Sequence, residues 1–193
     1  MDARGQRIFG ENKVKYVELF DALTPTGLPT GQQKTKQQIF NDGDWRLVTH
    51  AWLVTDDNQV LCQRRAFGKG FWDGLWDVSV GGGVASGEDS LAACVRELAE
   101  EIGFVIDPND LVRLGRFETS KPLPEQNIIA KEFSDTYVVR LKPYLGSLIL
   151  QDSEVSEVCY IPLDQVGVNN GREWVPHPQT YYQEIRQLIL GGI

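Results

Sequence analysis

Two kinds of hydrophobic spacing divide the chain. Trp45-Arg46-Leu47-Val48-Thr49-His50-Ala51-Trp52-Leu53-Val54 and Val60-Leu61-Cys62-Gln63-Arg64-Arg65 have the dense apolar and β-branched composition of strands. Between them, Asp56-Asp57-Asn58-Gln59 is turn chemistry, so the pair reads as a hairpin. Trp76 to Val80, Leu111 to Thr119, Phe133 to Leu141 and Val155 to Ile161 share the strand composition, and Val14 to Phe20 alternates as a strand ahead of them. From Asp89 to Ile102 the period changes. At roughly 100° per residue, Leu91, Val95, Leu98 and Ile102 fall on one stripe, which predicts a helix with that face in a core. A second helix is predicted over Gln179 to Leu190, with Tyr182, Ile185, Leu188 and Ile189 on one face, and Pro162 to Val166 reads as a short helical turn. Mixed strands around two or three helices predict an α/β fold built as an α/β/α sandwich.

The intervening segments read as connections. Thr24 to Gly31 is repeated turn chemistry, Gln32 to Gln38 a short helix or mobile arm, Ala66 to Asp73 a loop, and Ser120 to Asn127 a loop with two prolines. No internal repeat or low-complexity segment interrupts the pattern. A length of 193 residues with 41% hydrophobic content suits one domain, with a strand and loop extension over residues 1–40 and a C-terminal helix within 174–193.

Composition narrows the partners. A formal charge of −8 and a pI near 4.8 argue against nucleic acid and anionic membranes, both of which favour basic surfaces. The first residues carry no apolar signal region and no apolar run is long enough to span a bilayer, which argues against secretion and membrane insertion and predicts a cytoplasmic protein. Cys62, Cys94 and Cys159 are scattered and read as reduced thiols, with Cys94 in helix packing. A homodimer is left open.

The chemistry concentrates between Gly82 and Phe104. Glu97, Glu100 and Glu101 lie at i, i+3 and i+4 of the predicted helix, within one turn of each other, where their repulsion calls for positive charge. Arg96 alone is too little, and hard oxygen ligands with no His or Cys nearby favour Mg2+ or Mn2+ over zinc. The competing interpretation, a solvated acidic helix face, is weakened by Gly81-Gly82-Gly83 just ahead, where the backbone can approach a metal or phosphate closely. Ser86, three residues before Asp89, is a weak helix-start signal, Gly103 is a natural stop, and Glu88 can reach Arg96 two turns on to brace the loop.

Gly82, Glu88, Arg96, Glu97, Leu98, Glu100, Glu101, Gly103 and Phe104 together fill the nine specified positions of a 23-residue box. That box resembles the signature of the Nudix hydrolases, which cleave nucleoside diphosphates linked to another group. The resemblance implies a Nudix-type α/β/α sandwich with a mixed sheet, an organic diphosphate substrate, and metal held by Glu97, Glu100 and Glu101 with help from Gly82. In the family a glutamate of the box or of a later loop activates the attacking water. Glu132 is the first later-loop candidate, followed by Glu154 and Glu157.

A narrower resemblance precedes the box. Cys62 to Lys69, followed by Trp72-Asp73-Gly74-Leu75-Trp76, is similar to isopentenyl diphosphate isomerase, a Nudix-fold relative, and implies that Arg65 and Lys69 bind a diphosphate. The isomerase cysteine and histidine correspond to Gly81 and Gly83, and one carboxylate of its pair to Ala130 while the other keeps Glu132. The resemblance therefore implies hydrolysis; the alternatives are an isopentenyl-diphosphate-type isomerase, which the missing thiol and imidazole argue against, and a non-catalytic ligand-binding module on a Nudix scaffold, which the intact Glu97, Glu100 and Glu101 argue against. His50, within an apolar strand, reads as a hydrogen-bonded core residue, and His177, between two prolines, as a surface loop residue.

Overall fold

Strand β3 (Trp45–Thr55) is the spine of the fold. The computed structural model describes residues 17–68, 71–123, 128–141 and 147–192. Within them β3 pairs antiparallel with β1 (Phe20–Leu23), β4 (Gln59–Arg65) and β6 (Val80–Gly83). With β8 (Ile128–Leu141) it pairs in parallel along its whole length, from Trp45 opposite Lys131 to Thr55 opposite Leu141. Strand β2 (Pro29–Lys34) extends β1, β7 (Val112–Leu123) extends β8, and β5 (Trp76–Asp77) and β9 (Val155–Pro162) flank β4. The sheet is mixed, as expected.

Successive residues of β3 face opposite sides of the sheet. Ala51 and Leu53 meet Cys94, Leu98 and Ile102 of α2 (Ser90–Ile102). Trp52 and Val54 pack on the other side against Tyr181, Tyr182, Ile185 and Ile189 of α3 (Gln179–Leu190). Each fully buried Leu, Ile or Val among them contributes about 1.5–3 kcal/mol, which holds one helix on each face of the expected α/β/α sandwich. The alternation also carries Arg46, Val48 and His50 onto the face of Trp52 and Val54. The far half of this face is core, whereas the near half buries Arg46 and His50.

Several connections differ from expectation. Residues 14–16 of the expected first strand lie outside the described residues, 17–19 are irregular, and β1 begins at Phe20. The segment Pro29–Lys34, read as turn and arm, is strand; it is exposed from Pro29 to Gln33, so it lacks the apolar alternation that marks half-buried strands. Thr35 and Gln38 then form a reciprocal capping box that starts α1 (Lys36–Asp42), and Gly43 stops it. Trp76 to Val80 is two strands, and the three glycines are themselves part of β6. Finally, β7 runs through Ser120, Lys121 and Pro122 to Leu123, where a loop was expected. Pro122 is tolerated because β7 pairs with β8 alone and is an edge strand. Among the described residues no helix is long and apolar enough to cross a membrane.

Helix α2 is fixed at both ends. Asp89, not Ser86, is the cap, accepting from the Leu91 and Ala92 amides, while the Ser86 hydroxyl donates to Asp21 at 2.7 Å. At the other end Gly103 takes φ +68°, and the amides of Ile149 and Gln151 donate to the carbonyls of Ile102 and Glu101 at 3.1 and 2.9 Å. A Cβ on Gly103 would lie 3.0 to 3.2 Å from Ile149, backbone included. Gly103→Ala is therefore expected to destabilise the fold by about 1–3 kcal/mol through left-handed strain and this crowding. Urea unfolding checks this; unchanged stability would contradict it.

Candidate active site

The acidic side of the site is the cleft-facing edge of α2. Arg96 donates from Nε and Nη2 to the two oxygens of Glu88 at 2.9 and 3.0 Å and from Nη2 to the Gly83 carbonyl at 3.1 Å. The expected brace between helix and glycine strand is thus formed. Its Nη1 also donates to Glu97 at 2.9 Å and to Glu100 at 3.1 Å. Glu101 is buried on the inner side of the helix, where Gln63 of β4 donates to it at 3.0 Å. A Cβ on Gly82 would fall 2.1 Å from the Glu97 carboxyl carbon, so only glycine lets the strand pass this closely. Burial pushes the Glu97 carboxyl above its ordinary range, against the pull of Arg96.

The expected metal ligands Glu97, Glu100 and Glu101 all line the cleft, and each is turned to a protein partner. Among the described residues no group of three His, Cys, Asp or Glu side chains stands together to hold a metal. The physical reason is local: Glu97 and Glu100 are drawn onto Arg96, and Glu101 onto Gln63. In donor chemistry the residues nonetheless fit a hard divalent cation, with three carboxylates on one helix and bare glycine backbone against Glu97.

The opposite side is cationic and buried. Arg46 donates from Nε and Nη2 to Glu132 Oε1 at 3.0 and 2.5 Å, and Lys121 Nζ lies 2.5 Å from Glu132 Oε2. Arg46 and Glu132 are direct neighbours across the parallel β3–β8 pair, and Lys121 stands diagonally from Glu132 on β7. Burial opposes charge on Glu132, but Lys121 and Arg46 outweigh it and hold the carboxyl well below the usual range. Arg65, also buried, sits 3.9 Å from Asp77, whose other oxygen takes a 2.8 Å hydrogen bond from His177. Trp72 lies beneath the Lys121 ammonium at 5.0 Å and the Arg65 guanidinium at 6.0 Å. Its backbone is left-handed at φ +53°, and its ring N–H donates to the Pro122 carbonyl at 3.2 Å.

These two sides enclose one cleft of about 470 Å3. It brings together Glu97, Glu100, Glu101, Gly82, Arg65, Glu132 and Arg96, with Glu154 also on its lining. Glu88 stands behind it, gripping Arg96, and Glu157 pairs instead with exposed Arg64 at 3.7 Å. Lys69 lies outside the described residues.

Sequence reasoning missed Arg46, Lys121, Asp77 and Lys36, all on the lining. Charged residues inside strands were the available signal, since Arg46 alternates with Val48 and His50 in an otherwise apolar run. Lys121 was hidden in a segment read as loop. His50 is the hydrogen-bonded core residue expected, its Nδ1 2.8 Å from the Tyr181 hydroxyl. Burial first, then the charges of His177 and Lys121, lowers it to about 3, so the ring is neutral near pH 7. The surface placement expected for His177 is corrected: it is buried, because Val175 hydrogen-bonds to Trp76 and draws the proline-flanked segment onto β5.

Known proteins resemble this chain in sequence and in fold. The family model of the NUDIX domain matches residues 44–183. Nudix hydrolase 3 of Arabidopsis thaliana is 35% identical over 151 residues, which is 77% of this chain but 20% of that protein, so the chain spans only a fifth of that relative. Isopentenyl-diphosphate Delta-isomerase of Escherichia coli is 28% identical over 145 residues, 75% of this chain and 76% of the enzyme. The crystal structure of DR0079 from Deinococcus radiodurans superposes with a TM-score of 0.66 at 22% identity, covering 88% of this chain and 98% of its own, a likeness of fold. With the family model matching most of the chain and the box complete from Gly82 to Phe104, the chain belongs to the Nudix family and carries its hydrolase domain.

Proposed function

We propose that this domain hydrolyses the diphosphate linkage of a nucleoside diphosphate joined to another moiety, or of a related organic diphosphate, with Mg2+ or Mn2+ as cofactor. The observation that carries this reading is the facing of two walls of opposite sign across one cleft: box carboxylates on one side, and Arg46, Arg65 and Lys121 on the other. A polar cleft so divided suits a substrate whose charge is a diphosphate. The cations would hold phosphate oxygens, and the carboxylates a divalent ion.

Glu97, Glu100 and Glu101 would hold the metal, which when bound supplies charge neutralisation and lowers the pKa of water. For Glu97 and Glu100 this means exchanging Arg96 for the ion, while Arg96 keeps Glu88 and the Gly83 carbonyl. Arg65, with Lys69 four residues later in sequence, would orient the non-transferred phosphate, and burial beside Trp72 would strengthen the Arg65 contact. Glu132 suits positioning better than proton abstraction, because a base there would first have to be freed from Arg46 and Lys121. Of the later-loop glutamates, Glu154 lines the cleft and Glu157 does not. Glu154 is accordingly the preferred group to take the proton of the attacking water.

The isomerase alternative draws on 28% identity to isopentenyl-diphosphate Delta-isomerase. Against it, Gly81 and Gly83 stand where the resemblance requires a thiol and an imidazole. A Cβ on Gly83 would meet the Phe20 ring at 2.2 Å, so this strand has no room for the larger side chain without rearrangement.

Glu100→Gln and Glu101→Gln are each expected to lower Mg2+-dependent turnover by at least ~100-fold while the circular dichroism spectrum stays unchanged. A screen of organic diphosphates for phosphate or nucleoside monophosphate release supplies the assay. Full activity in both variants, or activity unaffected by excess chelator, would refute the reading. On the best substrate from that screen, Arg65→Ala should lower kcat/KM by about 1.5–3 kcal/mol, as for loss of a charge-assisted contact. Unchanged kinetics would remove Arg65 from the site.

A further inference from the structure

Strands β4 and β9 run antiparallel with Cys62 directly opposite Cys159. Opposed residues in such a ladder point to the same face, with Cα atoms roughly 4.5 or 5.5 Å apart. A disulfide spans about 4.4–6.8 Å between Cα atoms, so either ladder position lies within its reach. Packing agrees with the register. Cys62 is buried in the cluster beneath α3, and Cys159, half-buried, packs against that same cluster. Both are free thiols, whereas Cys94 belongs to α2 on the other face of the sheet.

From this juxtaposition we propose that Cys62 and Cys159 form a site of reversible oxidative modification, closing to a cross-strand disulfide under peroxide. Cys159 is the more accessible of the two and has the Arg172 side chain beside it, so its thiolate attacks first. Its sulfur displaces hydroxide from hydrogen peroxide and becomes a sulfenic acid; the hydroxide takes up the thiol proton and leaves as water. Cys62 sulfur then attacks the sulfur of that sulfenic acid, the S–O bond breaks, and the departing hydroxide takes the Cys62 proton as a second water. The thiols lose two electrons and the peroxide gains two. Burial holds both thiols above their ordinary pKa, which makes the oxidation slow and dependent on sustained peroxide.

The position of the pair gives the modification a consequence. Further along the same ladder Arg65 opposes Val155, the Ala66 amide donates to the Glu154 carbonyl at 2.9 Å, and the Ser156 hydroxyl donates to the Arg64 carbonyl at 3.1 Å. A covalent rung at 62–159 would clamp the ladder that presents Arg65 and Glu154 to the cleft. The bond itself does not depend on what the cleft hydrolyses.

The test treats the intact chain with hydrogen peroxide, alkylates the remaining thiols, and measures intact mass and linked peptides without reductant. Expected is a chain lighter by two hydrogens with one alkylatable thiol, a Cys62–Cys159 linked peptide, and full reversal by dithiothreitol. Cys94→Ala should keep the crosslink, and Cys159→Ser, at a half-buried position, should abolish it. Cys159 passing to sulfinic acid with Cys62 still reduced would overturn the proposal. So would crosslinking only between chains, or three intact thiols at peroxide levels that oxidise a free cysteine peptide.

Discussion

One guanidinium joins the parts of this molecule that matter to its cleft. Arg96 grips Glu88, the Gly83 carbonyl, Glu97 and Glu100 at once, so the glycine strand, the start of α2 and two box carboxylates share a single anchor. One positive charge divided among three carboxylates cannot neutralise them, and Glu101 adds a fourth on the inner side of the same helix. The helix thus retains negative charge pointed at the cleft, which a divalent cation would relieve. Gly82 completes the arrangement by its lack of a side chain, since its backbone lies against Glu97.

The far wall follows from a second constraint, the high cost of burying unpaired charge. Arg46 and Lys121 are buried, and Glu132 between them satisfies both; Asp77 does the same for Arg65 with help from His177. In the first trio two cations face one carboxylate, leaving the wall positive. Facing the acidic helix across about 470 Å3, it gives the cleft the polarity that a metal–diphosphate pair would match.

Much of this was legible in the sequence because it is local. The helical period from Asp89 to Ile102, the glycine stop and the reach from Glu88 to Arg96 depend only on residues near each other in the chain. The sandwich followed from mixed strands set around two or three helices. Features set by strand pairing were not legible. Lys121 belongs to the site only because β7 continues past the expected loop start and brings it diagonally to Glu132. His177 looked like a loop residue because prolines flank it, and it is buried because a short backbone pairing with Trp76 pulls it in. Strand β2 was missed for a different reason: exposed up to its last residue, it has no hydrophobic period to read. The box carboxylates were legible as residues within one turn of a helix, with Arg96 in i, i+4 reach of Glu100, but the pairing of Glu101 with Gln63 is a tertiary contact that spacing does not encode.

The acidic edge of α2 is either a metal-binding wall, as its uncompensated charge requires, or a helix surface neutralised by Arg96. Electron paramagnetic resonance of Mn2+ separates the two directly, because free and protein-bound ion give different signals without any assumption about substrate. Titrated into the intact chain near neutral pH with a non-hydrolysable diphosphonate present, Mn2+ is predicted to be bound by the unmodified protein. Its affinity should fall about 10-fold or more in Glu97→Gln. Mn2+ that stays free, or binds equally well after Glu97→Gln, would contradict the account.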